Sequence, residues 1–279
     1  MIQINDLLYT YGSKKPLFDR LDLDVAQGNI YGLLGKNGAG KSTLLKIIAG
    51  LLFPKGGEIQ VLNHIPSKRD PNFLNQVFLL TEEFDLPAMT IDQYIRFYGS
   101  FYPDFGLEQF TNYLGEFKLI STDQISGLSY GQKKKFMLSF GLATNCKLLI
   151  LDEPTNGLDI PSKSQFRKVV ASAMSDERTF IISTHQVRDM EGFIDPIIIL
   201  DEGEIVLNES MESITNKLKV VKSSKMPELD SVLYSEGNFG SYLSVEKNDD
   251  HSETNMALEL LFNTVTSSKV RIHEIFKQS

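Results

Sequence analysis

Residues 35–43 have the composition and spacing of a phosphate-binding loop. They read Gly-Lys-Asn-Gly-Ala-Gly-Lys-Ser-Thr, which contains the pattern Gly-x4-Gly-Lys-Ser. The glycines allow successive backbone N–H groups to converge on an anion without obstruction by a Cβ atom. In such a loop Lys41 supplies a point charge for the β- and γ-phosphates of a nucleotide, and the Ser42 hydroxyl is a ligand for Mg²⁺. The segment predicts nucleotide binding by Gly35, Asn37, Gly38, Gly40, Lys41, Ser42 and Thr43.

The segments on either side of this loop support the same interpretation. Residues 29–34 read as a short buried strand, and residues 43–52 read as a helix with leucine and isoleucine along one face. A helix that begins at the loop adds its own unpaired N–H groups and the positive end of its dipole to an anion site. We therefore expect the loop to join a core strand to a helix.

A second set of candidate groups lies further along the chain. The apolar run 148–151 is followed by Asp152 and Glu153. A strand that ends in two carboxylates places them at the carboxyl edge of a sheet, where ligands of open α/β sheets bind. We expect Asp152 to hold Mg²⁺, usually through water, and Glu153 to polarise an attacking water as general base.

Composition restricts the class of protein. The chain has 279 residues, of which 42% are hydrophobic and 23% charged, as in an ordinary soluble globular protein. Its net charge of −8 argues against a nucleic-acid partner bound through bulk basic charge. The single cysteine excludes an internal disulfide framework and fits a reducing cytosol. No apolar run is long enough to span a bilayer, and the first residues do not resemble a signal peptide.

The pattern of elements predicts an α/β fold. Short strands dominate the first sixty residues, a helical block follows from about 90 to 146, and strands alternating with helices return after it. This alternation indicates a mainly parallel sheet covered on both faces. We expect one domain over 1–210, with an inserted helical subdomain at about 84–146. Residues 211–279, called the C-terminal extension below, read as a small α+β appendage.

Three further motifs resemble one known family. Residues 128–132 read Leu-Ser-Tyr-Gly-Gln, residues 156–159 read Asn-Gly-Leu-Asp, and residues 183–185 read Ser-Thr-His. In this order they resemble the signature, the D-loop and the switch histidine of the nucleotide-binding subunits of ATP-binding-cassette (ABC) transporters. The resemblance extends over roughly residues 1–210, and its closest likeness is to bacterial exporter ATPases whose membrane subunits are separate chains.

The resemblance implies a fold and roles for individual residues. It implies a RecA-like P-loop NTPase core with an antiparallel N-terminal β subdomain, ATP and Mg²⁺ as ligands, and ATP hydrolysis. Tyr11 would stack on adenine, and His185 would contact the γ-phosphate and orient Glu153 or the attacking water. A second copy of the chain, or another nucleotide-binding subunit, would complete each site through its signature and D-loop, for which the matching residues are Ser129, Gly131, Gln132 and Asp159.

Two positions depart from the family pattern. Tyr130 replaces the first glycine of the signature, while Ser129 and Gly131 remain. The stretch that corresponds to the Q-loop, 77–83, has no glutamine. Glu82 is the best candidate there because a carboxylate also ligates Mg²⁺, although the alignment could shift to Thr81.

The resemblance also implies partners and a location. We expect integral membrane subunits as partners and a cytoplasmic protein held peripherally at the inner face of the membrane. A non-transport ABC ATPase with soluble partners and a catalytically silent regulator remain as alternatives. The basic run Lys133–Lys135 reads as a solvated face, or as extra positive potential near a partner's nucleotide.

Overall fold

The computed structural model describes residues 1–12, 15–228, 232–238 and 240–277. The strands are β1 Ile2–Tyr9, β2 Phe18–Val25, β3 Ile30–Leu34, β4 Gly56–Val61, β5 Val77–Leu80, β6 Leu148–Asp152, β7 Thr179–Thr184, β8 Ile197–Asp201, β9 Glu204–Glu209, β10 Leu218–Ser223, β11 Tyr234–Asn238 and β12 Ser241–Lys247. The helices are α1 Lys41–Ile48, α2 Pro71–Leu74, α3 Ile91–Tyr98, α4 Leu107–Glu116, α5 Tyr130–Ala143, α6 Ile160–Ser172, α7 Met211–Lys217, α8 Leu258–Ser267 and α9 Lys269–Lys277.

The central element is a six-stranded sheet in the order β5-β6-β7-β3-β8-β9. Its strands pair in parallel except for β9, which forms an antiparallel hairpin with β8. Every residue of β6, β7 and β8 is buried, because helices and the neighbouring sheet cover both faces. The expected mainly parallel α/β core is confirmed.

The register of this sheet brings three motifs to one edge. Asp152 at the end of β6 is paired with Ser183 of β7, and Leu34 at the end of β3 is paired with Thr184. The phosphate loop, the carboxylate pair and His185 each follow one of these strands. Parallel strands present their carboxyl ends together, and the sheet therefore positions all three motifs at the same place.

Helix α1 is shorter than the sequence pattern predicts. It ends at Ile48, and Gly50 adopts a positive φ of 70°. The N–H groups of Gly50 and Leu51 donate to the carbonyls of Ile47 and Lys46, at 3.0 and 2.8 Å. This hydrogen-bond pair is the Schellman arrangement, in which a left-handed glycine ends a helix while its last carbonyls remain satisfied. The apolar residues after Gly50 therefore lie in the following loop.

Two smaller layers surround the central sheet. An antiparallel sheet in the order β2-β1-β4 packs its apolar side against α1, and the block between β5 and β6 contains α3, α4 and α5. Aromatic residues fill the core of this block, where Tyr94 meets Phe136 and Phe140 edge-on. Phe97 in α3 and Phe101, three residues after the end of α3, are more than 60% exposed.

The C-terminal extension contains α7, the sheet β10-β12-β11, and the helix pair α8 and α9. Buried residues of α8, among them Leu261 and Val265, belong to the same apolar cluster as Ile197 and Ile199 of β8. Lys269 at the start of α9 forms ion pairs with Asp201 and Glu202 in the β8–β9 turn, at 2.6 and 3.2 Å. The extension is thus packed directly on the six-stranded sheet.

Candidate active site

The phosphate loop leaves β3 and enters α1 at Lys41. The Lys41 ammonium is buried and donates a hydrogen bond of 2.7 Å to the carbonyl of Gly35 at the other end of the loop. Gly40, which precedes the helix, has a φ of 111°, and a Cβ atom there would lie 2.7 Å from the Phe18 ring. A side chain at position 40 is therefore excluded both by backbone conformation and by space.

The two carboxylates at the end of β6 lie in different environments. Asp152 is buried, and its Oδ1 accepts a hydrogen bond of 2.5 Å from the Ser183 hydroxyl. Glu153 has a positive φ of 49°, which is uncommon for a residue with a Cβ atom. Its backbone N–H donates to the Ser183 hydroxyl oxygen and to the Ser183 carbonyl, at 3.1 and 3.2 Å. Ser183 therefore holds both carboxylate residues.

The Glu153 side chain joins the remaining groups of the site. Its Oε1 lies 2.8 Å from Nδ1 of His185 and 3.7 Å from Nζ of Lys41. Burial lowers the pKa of Lys41, and the nearby Glu153 and Asp152 charges oppose that effect. The structure thus brings the three groups expected to act on a terminal phosphate into direct contact.

These groups face a cavity of about 430 Å³, called the phosphate-loop cavity below. Its lining residues are Tyr11, Leu17, Lys36, Asn37, Gly38, Gly40, Lys41, Ser42, Thr43, Glu82 and Glu153. Tyr11 stands at the rim, 49% exposed, with its hydroxyl 2.8 Å from the Thr43 Oγ1 atom. A ring so placed is available for stacking on a planar ligand, as expected for adenine.

The cavity also distinguishes the two candidates for the Q-loop position. Glu82 lines the cavity, and its Oε1 accepts a hydrogen bond of 2.7 Å from the Asn156 side chain. The Thr81 hydroxyl donates instead to the Glu83 carbonyl two residues away, at 2.6 Å. The geometry therefore favours Glu82 as the residue that faces a ligand.

The signature and D-loop residues lie outside this cavity and cap helices. Ser129 and Gln132 form a reciprocal capping box at the start of α5, and Asp159 caps α6 by accepting from the Ser162 N–H at 2.9 Å. The Ser162 side chain and then this backbone hydrogen bond lower the pKa of Asp159. Gly131 is half-buried in the first turn of α5. None of these residues lines the phosphate-loop cavity, and Ser129 lies at the exposed N-terminus of α5, where an anion is favoured.

Sequence reasoning missed two side chains that the structure places at the site. The sequence marks Ser183 only as part of the Ser-Thr-His motif, because its contacts to Asp152 and Glu153 depend on the strand register. The sequence predicts a solvated basic run that includes Lys134, yet Lys134 is 2% exposed and its ammonium donates to the carbonyls of Glu153 and Asn156, at 2.8 and 2.9 Å. That expectation was wrong for Lys134 because α5 turns this face towards the loop after β6.

The oxygen donors fit Mg²⁺ in an arrangement completed by a ligand. Ser42 and Glu82 line the phosphate-loop cavity, and Asp152 is held by Ser183 at the end of β6. Within the described ranges no group of three or more His, Cys, Asp or Glu side chains forms a closed metal cage. Mg²⁺ usually keeps several waters and binds one or two carboxylates together with substrate phosphates, so an open donor set suits it.

Comparisons with known proteins give a consistent result. The ABC transporter family matches residues 18–156. The lantibiotic transport ATP-binding protein SrtF of Streptococcus pyogenes is 30% identical, with 77% of this chain and 93% of that protein covered. The bacitracin transport ATP-binding protein BcrA of Bacillus licheniformis is 31% identical, with 74% and 68% covered.

A solved structure shares the fold. It is a dimeric post-hydrolysis state of an ATP-binding cassette bound to ADP and Pi, with a TM-score of 0.66 and 22% identity over 76% of this chain and 99% of that one. In the described part of the present chain, no helix has the length and apolarity needed to cross a membrane.

Proposed function

Because the chain belongs to the ABC transporter family, as an ATP-binding and ATP-hydrolysing subunit that powers transport, we propose that two copies enclose ATP between them and drive a membrane subunit that is a separate chain. The observation that carries the residue-level part of this proposal is the contact of Glu153 with both Lys41 and His185 at the phosphate loop. A silent regulator would have no need for a carboxylate held in this way.

The geometry supports a proposed role for each group. In the free chain Glu153 is the anion beside Lys41, at 3.7 Å. Triphosphate in the loop would become the partner of the Lys41 ammonium and leave Glu153 paired with His185. Glu153 would then accept a proton from water as the water oxygen attacks the γ-phosphorus and the bond from that phosphorus to the β-phosphate oxygen breaks. The products are ADP and inorganic phosphate, with the proton on the Glu153–His185 pair.

The cation that accompanies ATP would be Mg²⁺, held by Ser42, Glu82 and, through water, Asp152. When bound it neutralises charge on the β- and γ-phosphates. Glu82 can keep the Asn156 amide on its Oε1 atom, because a carboxylate has a second oxygen with which to ligate a cation.

The position of the signature supports a dimer. Ser129 and Gly131 lie at an exposed helix N-terminus outside the phosphate-loop cavity of their own chain, and such a terminus favours anions. A second copy would bring this terminus to the γ-phosphate held by the first. The cassette that shares the fold is itself a dimer, bound to ADP and Pi.

The membrane partner and the direction of transport are proposed from the relatives. The named relatives are transport ATP-binding proteins for a lantibiotic and for bacitracin. By analogy we propose export through separate membrane subunits, with this chain attached peripherally to the inner face of the membrane. The exposed Phe97 and Phe101 offer apolar area for such a contact.

Glu153→Gln tests the catalytic assignment. The amide retains the size of the side chain but cannot accept the proton, and we expect turnover to fall by about 10²-fold or more while ATP still binds. The measurements are steady-state phosphate release and ATP titration, with Glu177→Gln as the control outside the site. Turnover equal to that of the parent chain would assign the base to another residue.

A further inference from the structure

The two departures from the family pattern are in direct contact. The Tyr130 hydroxyl donates a hydrogen bond of 2.5 Å to the Glu82 carbonyl, and the Tyr130 ring stacks on Phe84 with centroids 6.1 Å apart. The ring also lies against Gly157, where an added Cβ atom would be 3.5 Å away. Although 46% of Tyr130 is exposed, it contacts the loop that contains Glu82 and the loop after Glu153.

Lys134 lies one turn further along α5 and continues this connection. Its ammonium is 5.3 Å from the centre of the Tyr130 ring, a distance at which a cation is attracted to an aromatic face. The same ammonium donates to the carbonyls of Glu153 and Asn156. The Glu153 carbonyl also accepts from the Asn156 N–H at 3.2 Å. Lys134 thus binds the backbone turn in which Glu153 takes its left-handed conformation.

Asn156 closes the connection between the two loops. Its side-chain N–H group donates to the Glu82 carboxylate, while its carbonyl accepts from Lys134. The first turns of α5, the Glu82 loop and the loop after β6 are therefore joined by hydrogen bonds of one continuous network. A buried lysine costs free energy unless its N–H groups are satisfied, and the carbonyls of Glu153 and Asn156 satisfy two of them here.

We propose that Tyr130 and Lys134 are positioning residues, which hold Glu82 and Glu153 at the phosphate-loop cavity from the signature helix of the same chain. The inference rests on the proposed roles of Glu82 and Glu153. The signature helix then does more than face a partner's nucleotide, since it also fixes the hydrolytic groups of its own site. Glycine at this position could not make the contact, because the Tyr130 side chain carries the hydroxyl that reaches the Glu82 carbonyl.

The test compares Tyr130→Phe and Lys134→Met with the parent chain. Tyr130→Phe removes only the hydroxyl, and we expect the maximal rate of ATP hydrolysis to fall about fivefold. Lys134→Met leaves two carbonyls without their charged donor, and we expect a fall of about thirtyfold. The equilibrium affinity for ATP should stay within about twofold, since Lys41 and the loop glycines are untouched. Lys134→Gln should recover part of the rate because its amide still donates to one carbonyl.

A measurement without nucleotide reports on positioning directly. Hydrogen–deuterium exchange of the free chain should become faster over residues 82–85 in Tyr130→Phe and over 155–158 in Lys134→Met. Tyr98→Phe in α3 and Lys147→Met, at the exposed position before β6, are controls outside the network, and both should keep the parental rate and exchange.

Three outcomes decide the matter. Slower hydrolysis with preserved ATP affinity and faster local exchange supports the proposal. Rates and exchange no different from those of the controls overturn it, as does a loss of ATP affinity in proportion to the rate. Glu153→Gln, assayed in parallel, separates this result from a failure of the catalytic assignment, because it stops turnover only if Glu153 is the base.

Discussion

The substitution Ser183→Ala tests whether one hydroxyl organises both carboxylates of the site. In the structure this hydroxyl donates to Asp152 and accepts from the N–H of Glu153. Both residues are almost fully buried, and water cannot readily replace the lost partner. We expect the variant to fold, with a lower free energy of unfolding and slower hydrolysis.

The expected loss in the free energy of unfolding can be worked out from the two hydrogen bonds taken separately. The Glu153 N–H keeps the Ser183 carbonyl as a second acceptor at 3.2 Å, so the loss of its bond to the hydroxyl costs little free energy. Asp152 loses a bond to a charged group in a buried setting, which costs about 2 kcal/mol. For a chain of this length that corresponds to a decrease in Tm of about 3 °C. An Asp152 carboxylate free to rotate should also reduce turnover by about tenfold and raise the Mg²⁺ concentration for half-maximal rate.

The assays are thermal unfolding without nucleotide and phosphate release over a range of Mg²⁺ concentrations. Ser139→Ala is the matched control, because Ser139 is equally buried but its hydroxyl donates only to the Lys135 carbonyl of its own helix. It should lose less than about 1 kcal/mol and keep the parental Mg²⁺ dependence. The reasoning is refuted if the two variants behave alike, or if Ser183→Ala is destabilised with an unaltered Mg²⁺ requirement.

Two further predictions concern binding and assembly. Burial lowers the pKa of Lys41 in the free chain, whereas bound phosphates favour its charged form, so ATP affinity should be constant below that lowered pKa and decline above it. Titrations of ATP between pH 7 and pH 10 would measure this decline. Ser129→Arg places a large side chain at the exposed N-terminus of α5. It should stop hydrolysis in the dimer, as measured by phosphate release, while the affinity of the single chain for ATP, measured by titration, is unchanged.

Each of these predictions has its own control and contrary outcome. Lys41→Arg, whose side chain stays charged over that range, should give an affinity independent of pH, and an identical decline in both proteins would exclude Lys41 as the titrating group. For the dimer, specific activity of the parent chain should rise with protein concentration. Activity that is independent of dilution, together with an active Ser129→Arg variant, would mean that one chain hydrolyses ATP alone.

The parts of the site predicted from sequence are those fixed by local chemistry. Gly40 and Lys41 are recognisable because a phosphate loop needs a glycine at a positive φ and a cation at the helix start. Asp152 and Glu153 are recognisable because polar residues directly after a buried run lie at a sheet edge. The mainly parallel sheet follows from the alternation of strands and helices, and it is confirmed.

The parts that escaped prediction depend on how separate segments meet. Nothing in a run of three lysines shows that Lys134 alone points inward, since that depends on the rotation of α5 against the loop after β6. The role of Ser183 depends on strand register, and the contact between Tyr130 and Glu82 joins residues 48 positions apart. Sequence spacing shows which groups are present, whereas their contacts follow from packing.

Because the C-terminal extension is packed on the six-stranded sheet, it cannot be removed or replaced independently of that sheet. Leu261 and Val265 of α8 fill the same apolar cluster as Ile197 and Ile199 of β8, and α9 is tied to the β8–β9 turn through Lys269. A groove of about 820 Å³ separates the start of α9 from Lys36 to Ala39 of the phosphate loop. A shortened chain ending near residue 210 would expose to water the aliphatic side chains of β8 that α8 now buries. A foreign domain fused at that point would have to supply an apolar surface that covers β8 as α8 does.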